Sequence, residues 1–270
     1  VDNGNASAGD ADTNYYTADY TKENIRKAED KLYDQIASEG TVLLKNDDNE
    51  LPAQKGTTFS FFSANSVDGS SLTQGYLGTP ETVTLKSAFT AAGFKVNETL
   101  WNYYESGAGK DYGLATGSVN YGDGEDFRIN EAPLAALRKE SGLLDSVKGT
   151  TPVYVLNRVV GEGRDMPRSM YNHADKQEDK EKSYIELDST ETEIIKYLND
   201  NYKDVILLVK SSAAMELGWV ADYPNIKAVV YSQNVTNALA KVFSGEVNPS
   251  GKTVDTFAAD ALASPAAQNF

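Results

Sequence analysis

The stretch Val153-Tyr-Val-Leu-Asn-Arg-Val-Val-Gly-Glu-Gly-Arg-Asp165 sets one carboxyl group, that of Glu162, between two glycines directly after an apolar run. Glycines on both sides let the backbone turn sharply and leave room for a ligand, which presents the carboxyl at the end of a buried strand rather than along its face. In open α/β sheets that end of the strands is where ligands bind. Taken alone, a Gly-Glu-Gly triplet is more often a turn carrying a solvated carboxylate than a site, so its neighbours must decide.

Other chemistries are removed by what the chain lacks. There is no Cys, which excludes disulfides, thiolate nucleophiles and zinc–sulfur sites, and leaves the redox compartment open. The one histidine, His173, lies in the polar run Ser169-Met-Tyr-Asn-His-Ala-Asp-Lys and reads as a solvated loop residue rather than a base. Triad hydrolysis and HExxH metal chemistry are thereby excluded, and neither a metal nor any other cofactor is expected. The balance of 40 acidic against 25 basic residues, a formal charge of −15, repels phosphate backbones and anionic lipid surfaces. Nucleic acid and membrane are therefore not expected partners, and a neutral, hydroxyl-rich substrate would be indifferent to the charge. No stretch approaches the ~18 apolar residues of a membrane span.

The elements that must position Glu162 follow from periodicity. Residues 1–14 are small and acidic without apolar period, a disordered leader or linker, and residues 15–270 read as one domain. Thr21 to Gly40 is a helix, with Thr21 as N-cap, Gly40 at the C-terminal cap and a stripe of Ile25, Ala28, Leu32, Tyr33 and Ile36. Strand and helix signals then alternate. Val42–Asn46 is a short apolar segment directly after the helix, and Thr57–Ala64, Phe94–Val96, Val153–Val160, Val205–Val209 and Ile226–Tyr231 are extended. Leu85–Ala92, Leu100–Glu105, Ala132–Glu140, Asp188–Tyr202 and Val235–Phe243 are helical, the fourth with Thr190 and Glu193 at capping-box spacing. Continuous apolar strands separated by helical crossovers predict an α/β fold: an open, mostly parallel sheet of about six strands with helices on both faces, a three-layer α/β/α sandwich. Two long loops interrupt the pattern, Gly107–Asn130 and Gly163–Ser183, the second carrying the charge run Lys176–Lys182, which reads as a solvated surface.

Four stretches occur in one order: Glu39-Gly-Thr-Val-Leu-Leu-Lys-Asn46, Gly161-Glu-Gly-Arg-Asp165, Met215-Glu-Leu-Gly-Trp219 and Gly245-Glu-Val-Asn-Pro-Ser-Gly-Lys252. Together they resemble the α/β sandwich domain of family 3 glycoside hydrolases, the β-glucosidase and β-xylosidase group, from Tyr16 to Phe270. The resemblance implies a domain that lends the acid/base glutamate, here Glu162, to a site whose nucleophilic aspartate belongs to a (β/α)8 barrel. Asp165 matches the motif's aspartate, and with Arg164 it is the candidate for shaping the loop or binding sugar hydroxyls. Glu216 and Asn248 match motif positions with structural roles, a helix-start carboxylate and a turn residue before Pro249. The implied partners are a β-glucoside or oligosaccharide substrate, cut with retention, and the barrel itself. No nucleophile is expected in this chain.

The acid role carries its own demand. A free glutamate has a pKa of ~4.3, so holding its proton near pH 6 requires an upward shift worth ~2.7 kcal/mol. Arg164 would oppose that shift, and is expected to project away from Glu162. The chain also departs from the family. The glycine-rich loop between Asn65 and Pro80 is altered, the loop Tyr231–Thr236 is short, Met166 stands where many relatives carry Arg, and no barrel is present. The tail Ala263–Phe270 reads as a passage into further protein, which makes this an excised domain of a member with the sandwich placed first. An extracellular or cell-surface location is favoured over the cytoplasm. The alternative, motivated by the altered loops, is a non-catalytic carbohydrate-binding or scaffold module; a nucleotide-binding protein is disfavoured by the lack of a GxGxxG or GxxxxGK[ST] loop.

Overall fold

The computed structural model describes residues 21–68, 70–71, 82–113, 127–160, 165–233, 235–263 and 265. Eight strands are assigned among them: β1 Val42–Asn46, β2 Thr58–Phe62, β3 Ser70–Ser71, β4 Thr82–Val83, β5 Lys95–Val96, β6 Thr151–Leu156, β7 Val205–Val209 and β8 Ile226–Tyr231. The helices are α1 Lys22–Gly40, α2 Leu85–Ala91, α3 Glu98–Glu105, α4 Leu134–Lys139, α5 Ser189–Asn201 and α6 Asn237–Ser244. Six strands form one sheet in the order β1-β8-β7-β6-β2-β5, while β3 and β4 make a separate two-stranded ribbon. All neighbours in the main sheet are parallel except β1, which closes the β8 edge antiparallel. The expected open, mostly parallel six-stranded sheet is the fold observed.

Period-two alternation fills both faces. Val153, Val155, Ile206, Leu208, Ala228 and Val230 point to the face covered by α2 and α6, where Phe59 packs edge-on against Phe89 at 5.2 Å and Phe243 at 5.7 Å. Tyr154, Leu156, Leu207 and Val209 point to the other face, against Leu134 and Leu137 of α4 and Ile194, Ile195 and Leu198 of α5. Strands buried on both sides need such continuous apolar runs, which is why they were legible.

Several boundaries differ from the sequence reading. β6 stops at Leu156, four residues short of the expected Val160, and the segment that follows carries a buried arginine, Arg158, whose Nη1 donates to Asn157 O. The α5 N-cap is Asp188, which accepts from the Glu191 N–H while the Glu191 carboxylate reaches back to the Asp188 N–H, so the capping box lies two residues earlier than Thr190 and Glu193. Thr21 caps α1 as expected, but Gly40 lies within the helix and the C-cap is Thr41 in an extended conformation. Gly40 is instead the floor for Gly251, whose Cβ, if it had one, would lie 2.6 Å from the Gly40 carbonyl oxygen. The first and last of the four motif stretches thus meet backbone to backbone, with the Gly251 N–H donating to Thr41 O at 3.1 Å.

Candidate active-site edge

The chain runs from β2 outward to β5, then crosses back to β6 on the other side of β2 and continues through β7 to β8. The direction of winding therefore reverses between β2 and β6, and ligands of such sheets bind in the crevice outside the carboxyl ends of the strands at that point. The segment from Asn157 to Val160 leaves the sheet from the carboxyl end of β6, at this position. Glu162 and Arg164 themselves lie outside the described residues, as does any Arg164–Glu162 contact. Asp165 is described, and its side chain is exposed.

The ascending stem is held atom by atom. Arg158 is 0% exposed, and all five of its N–H donors are used: Nε to Tyr184 O, Nη1 to Asn157 O and Glu191 Oε1, Nη2 to Glu186 O and Glu191 Oε2, at 2.7–2.8 Å. A bidentate pair of this kind, both partners buried, neutralises the guanidinium locally. Burial works against the charge, but Glu191 outweighs it and holds the Arg158 pKa above its ordinary value. Beyond Arg158, the Val159 N–H donates to Tyr184 Oη at 3.4 Å and the Val160 N–H to Ser212 Oγ at 2.8 Å. Ser212 answers from the segment after β7: its N–H donates to Arg158 O at 3.1 Å and its hydroxyl to Val160 O at 2.9 Å.

Beneath the same edge a second carboxyl is enclosed. Glu131 accepts from the Ala132 N–H at 2.8 Å and from Tyr154 Oη at 3.1 Å, and Ser63, just after β2, hydrogen-bonds it as well. Burial pushes its pKa up to about 7, with the Glu191 charge adding to the rise and the hydrogen bonds opposing it. At the end of β7, Lys210 continues the ladder by donating its N–H to Leu156 O, and burial lowers its side-chain pKa while the charge of Asp68 resists. Among the described residues no group of three or more His, Asp or Glu converges as a metal site.

His173 is placed differently from expectation. Its Nδ1 accepts the Phe127 N–H at 3.4 Å, and its ring stands edge-on to Phe127 at 5.3 Å, so it is a half-buried packing residue rather than a solvated one. The charge run around it is likewise tied down at one point. Asp179 is buried and accepts from Ser189 N and Oγ and from Lys182 Nζ at 2.7–2.9 Å. Burial would raise its carboxyl, but those bonds outweigh it and hold its pKa below the ordinary value. Glu216 does not cap a helix: the short 3-10 turn at Gly218–Asp222 is capped by Leu217 without a side-chain bond, and Glu216 contributes its carbonyl to Trp219 Nε1 at 2.8 Å. Asn248 is exposed ahead of Pro249.

The model of the glycosyl hydrolase family 3 C-terminal domain matches residues 41–269. The chain belongs to that family. This family 3 domain is 26% identical over 246 residues to a β-glucosidase of Ruminococcus albus, covering 87% of the chain and 24% of the relative. It is also 26% identical over 261 residues to β-glucosidase A of Butyrivibrio fibrisolvens, covering 87% of the chain and 29% of the relative. The domain thus spans about a quarter of the length of the curated relatives it matches. Among solved structures, a β-glucosidase from Paenibacillus barengoltzii superposes with a TM-score of 0.69 at 24% identity, over 90% of this chain and 26% of that one. A β-glucosidase 3B from Thermotoga neapolitana, solved in complex with α-D-glucose, gives 0.56 at 21% identity, over 82% and 30%. These likenesses share the fold.

Proposed function

We propose that this domain is part of a retaining β-glycosidase acting on terminal β-linked glucosides, and that Glu162 is its general acid/base. The observation that carries the reading is the origin of the Glu162 loop at the carboxyl end of β6, beside the switch point of the sheet. Retaining hydrolysis needs two carboxyl groups ~5–5.5 Å apart, one ionised to attack the anomeric carbon and one protonated to release the leaving oxygen. The nucleophile is assigned to a barrel domain, and this domain supplies the proton. Asp165, with Arg164, is assigned to sugar hydroxyls.

The electrostatics of the stem suit an acid. An unpaired cation four residues before Glu162 would favour its ionised form, but the Arg158 charge is matched by Glu191 and all its donors face backbone or carboxylate. The loop therefore leaves the sheet without a net positive charge from its stem.

The test is the leaving group. In the full-length polypeptide, Glu162→Gln is expected to lower kcat about 10²–10⁴-fold on glucosides with poor leaving groups, where proton donation is needed. On a dinitrophenyl glucoside, whose leaving group departs without a proton, the loss should be far smaller. Equal losses on both substrates would remove the acid role. A full-length protein that binds glucosides without turnover would instead favour the non-catalytic module.

A further inference from the structure

Residues 127–133 have no regular structure of their own, and Glu131 links them to the main sheet. Its carboxyl is buried, with one oxygen on the Ala132 N–H and the other on Tyr154 Oη of β6. The Ser63 hydroxyl accepts from the Asn65 N–H and from Asn65 Nδ2, so its single proton is left for Glu131. Among the described residues no Lys, Arg or His pairs with this carboxyl, and a buried charge without a counter-charge is costly. The backbone on both sides of the contact is held in an unusual conformation. Ser63 has φ 85° and Asn130 has φ 49°, and non-glycine residues keep such angles only where their surroundings fix them. The groups facing Glu131 are Tyr103 and Tyr104 of α3, Tyr154 of β6 and Glu191 of α5, the last paired with Arg158. Burial raises all three phenols above their ordinary range, so they stay neutral where carboxyls titrate.

We propose that Glu131 is a pH-sensitive latch: neutral, it fastens residues 130–132 to the ends of β2 and β6, and ionised, it lets those residues and the Ser63 turn open. The opening is local, because the group that must reach water sits on an irregular segment while the strands beneath it are buried on both faces. It acts at the switch point of the sheet, at the end of β2, and does not depend on the reading of Glu162.

Amide hydrogen exchange on the 270-residue chain tests the latch, corrected for the intrinsic rise of exchange with pH. A carboxyl with a pKa of about 7 when enclosed and an ordinary 4.5 when released favours opening on the order of thirtyfold more at pH 8.5 than at pH 5.5. Protection of the Ala132 N–H and of the Ser66 N–H, which donates to Ser63 O, should fall by that factor. At both pH values it should lie below the protection of the β7 amides. Glu131→Gln, whose amide can still accept from Ala132 N–H and donate to Tyr154 Oη, should hold protection constant to within about threefold. Asp188 is also raised to about 7 and acts on Tyr154, but Asp188→Asn keeps a side-chain cap and should retain the fall. Tyr154→Phe removes a bond that lowers the Glu131 pKa, so the midpoint of the fall should move to higher pH, and this variant decides if Glu131→Gln does not fold. An equal fall in Glu131→Gln, its loss in Asp188→Asn, or an unmoved midpoint in Tyr154→Phe would overturn the latch. So would exchange of Ala132 and Ser66 only at the level of β7, since Glu131 would then titrate only when the whole domain unfolds.

Discussion

Glu131 is the carboxyl whose burial has the clearest consequence for pH. Enclosed by Ser63, Tyr154 and the Ala132 N–H, it has a folded-state pKa of about 7 against an ordinary value of 4.5. A raised carboxyl pKa means that the folded protein binds a proton the unfolded chain would release, so the contribution of Glu131 to stability is full below about pH 4.5 and is lost as pH rises through about 7. At 1.36 kcal/mol per unit of pKa, the loss is on the order of 3 kcal/mol. Glu131→Gln, which retains an acceptor for the Ala132 N–H, should flatten this decline. Thermal unfolding at pH 5 and pH 8 checks it: the parent should lose more Tm between the two than the variant, and identical losses would show that Glu131 is not the titrating group. Neither Glu131 nor Arg158 was legible in the sequence. A single charged residue inside mixed sequence has no period to reveal that it is buried, and Arg158 follows an apolar run and precedes Val159-Val160, so it read as more strand. Glu162 drew attention because two glycines flank it, a pattern that predicts a turn, and its placement lies outside the described residues.

At the scale of elements, apolar runs and helical patterns located the parallel strands of the main sheet to within a few residues, since those patterns are the direct imprint of burial, while β1 read only as a short apolar segment. They fail where an apolar stripe has no partner among the described residues. Leu32 and Ile36 of α1 are 57% and 58% exposed, although they form the stripe that suggested a buried face. The same limit applies to caps: Asp188-x-x-Glu191 and Thr190-x-x-Glu193 both have capping-box spacing, and only the extended backbone at Asp188 decides between them. The exposure of α1 carries an energetic expectation. Leu32→Ser with Ile36→Ser should change the stability of the chain by less than about 1 kcal/mol, as exposed substitutions do. Phe59→Ala, which empties the centre of an aromatic cluster, should cost about 3–5 kcal/mol. Urea unfolding measures both, and a large loss from the α1 pair would mean that the stripe is covered after all.

At the scale of the whole molecule, the sheet topology brings the ends of β2, β6 and β7 to one edge, and this is what a sequence of motifs could foreshadow but not show: the Ser63, Arg158 and Ser212 segments are far apart in sequence and adjacent only through the order β7-β6-β2. The same edge is incomplete as chemistry under the reading proposed here. A general acid contributes about 10²–10⁴-fold to a reaction that another group must start, and the nucleophile and the sugar subsite are assigned to a barrel. The 270-residue chain on its own is therefore expected to release no measurable phenol from an aryl β-glucoside, while retaining its fold by circular dichroism. The comparison that matters is with the full-length polypeptide at equal molar concentration under the same conditions. Matching turnover from the isolated chain would mean that a second catalytic carboxylate lies within these residues, and the division of the active site between two domains would have to be abandoned.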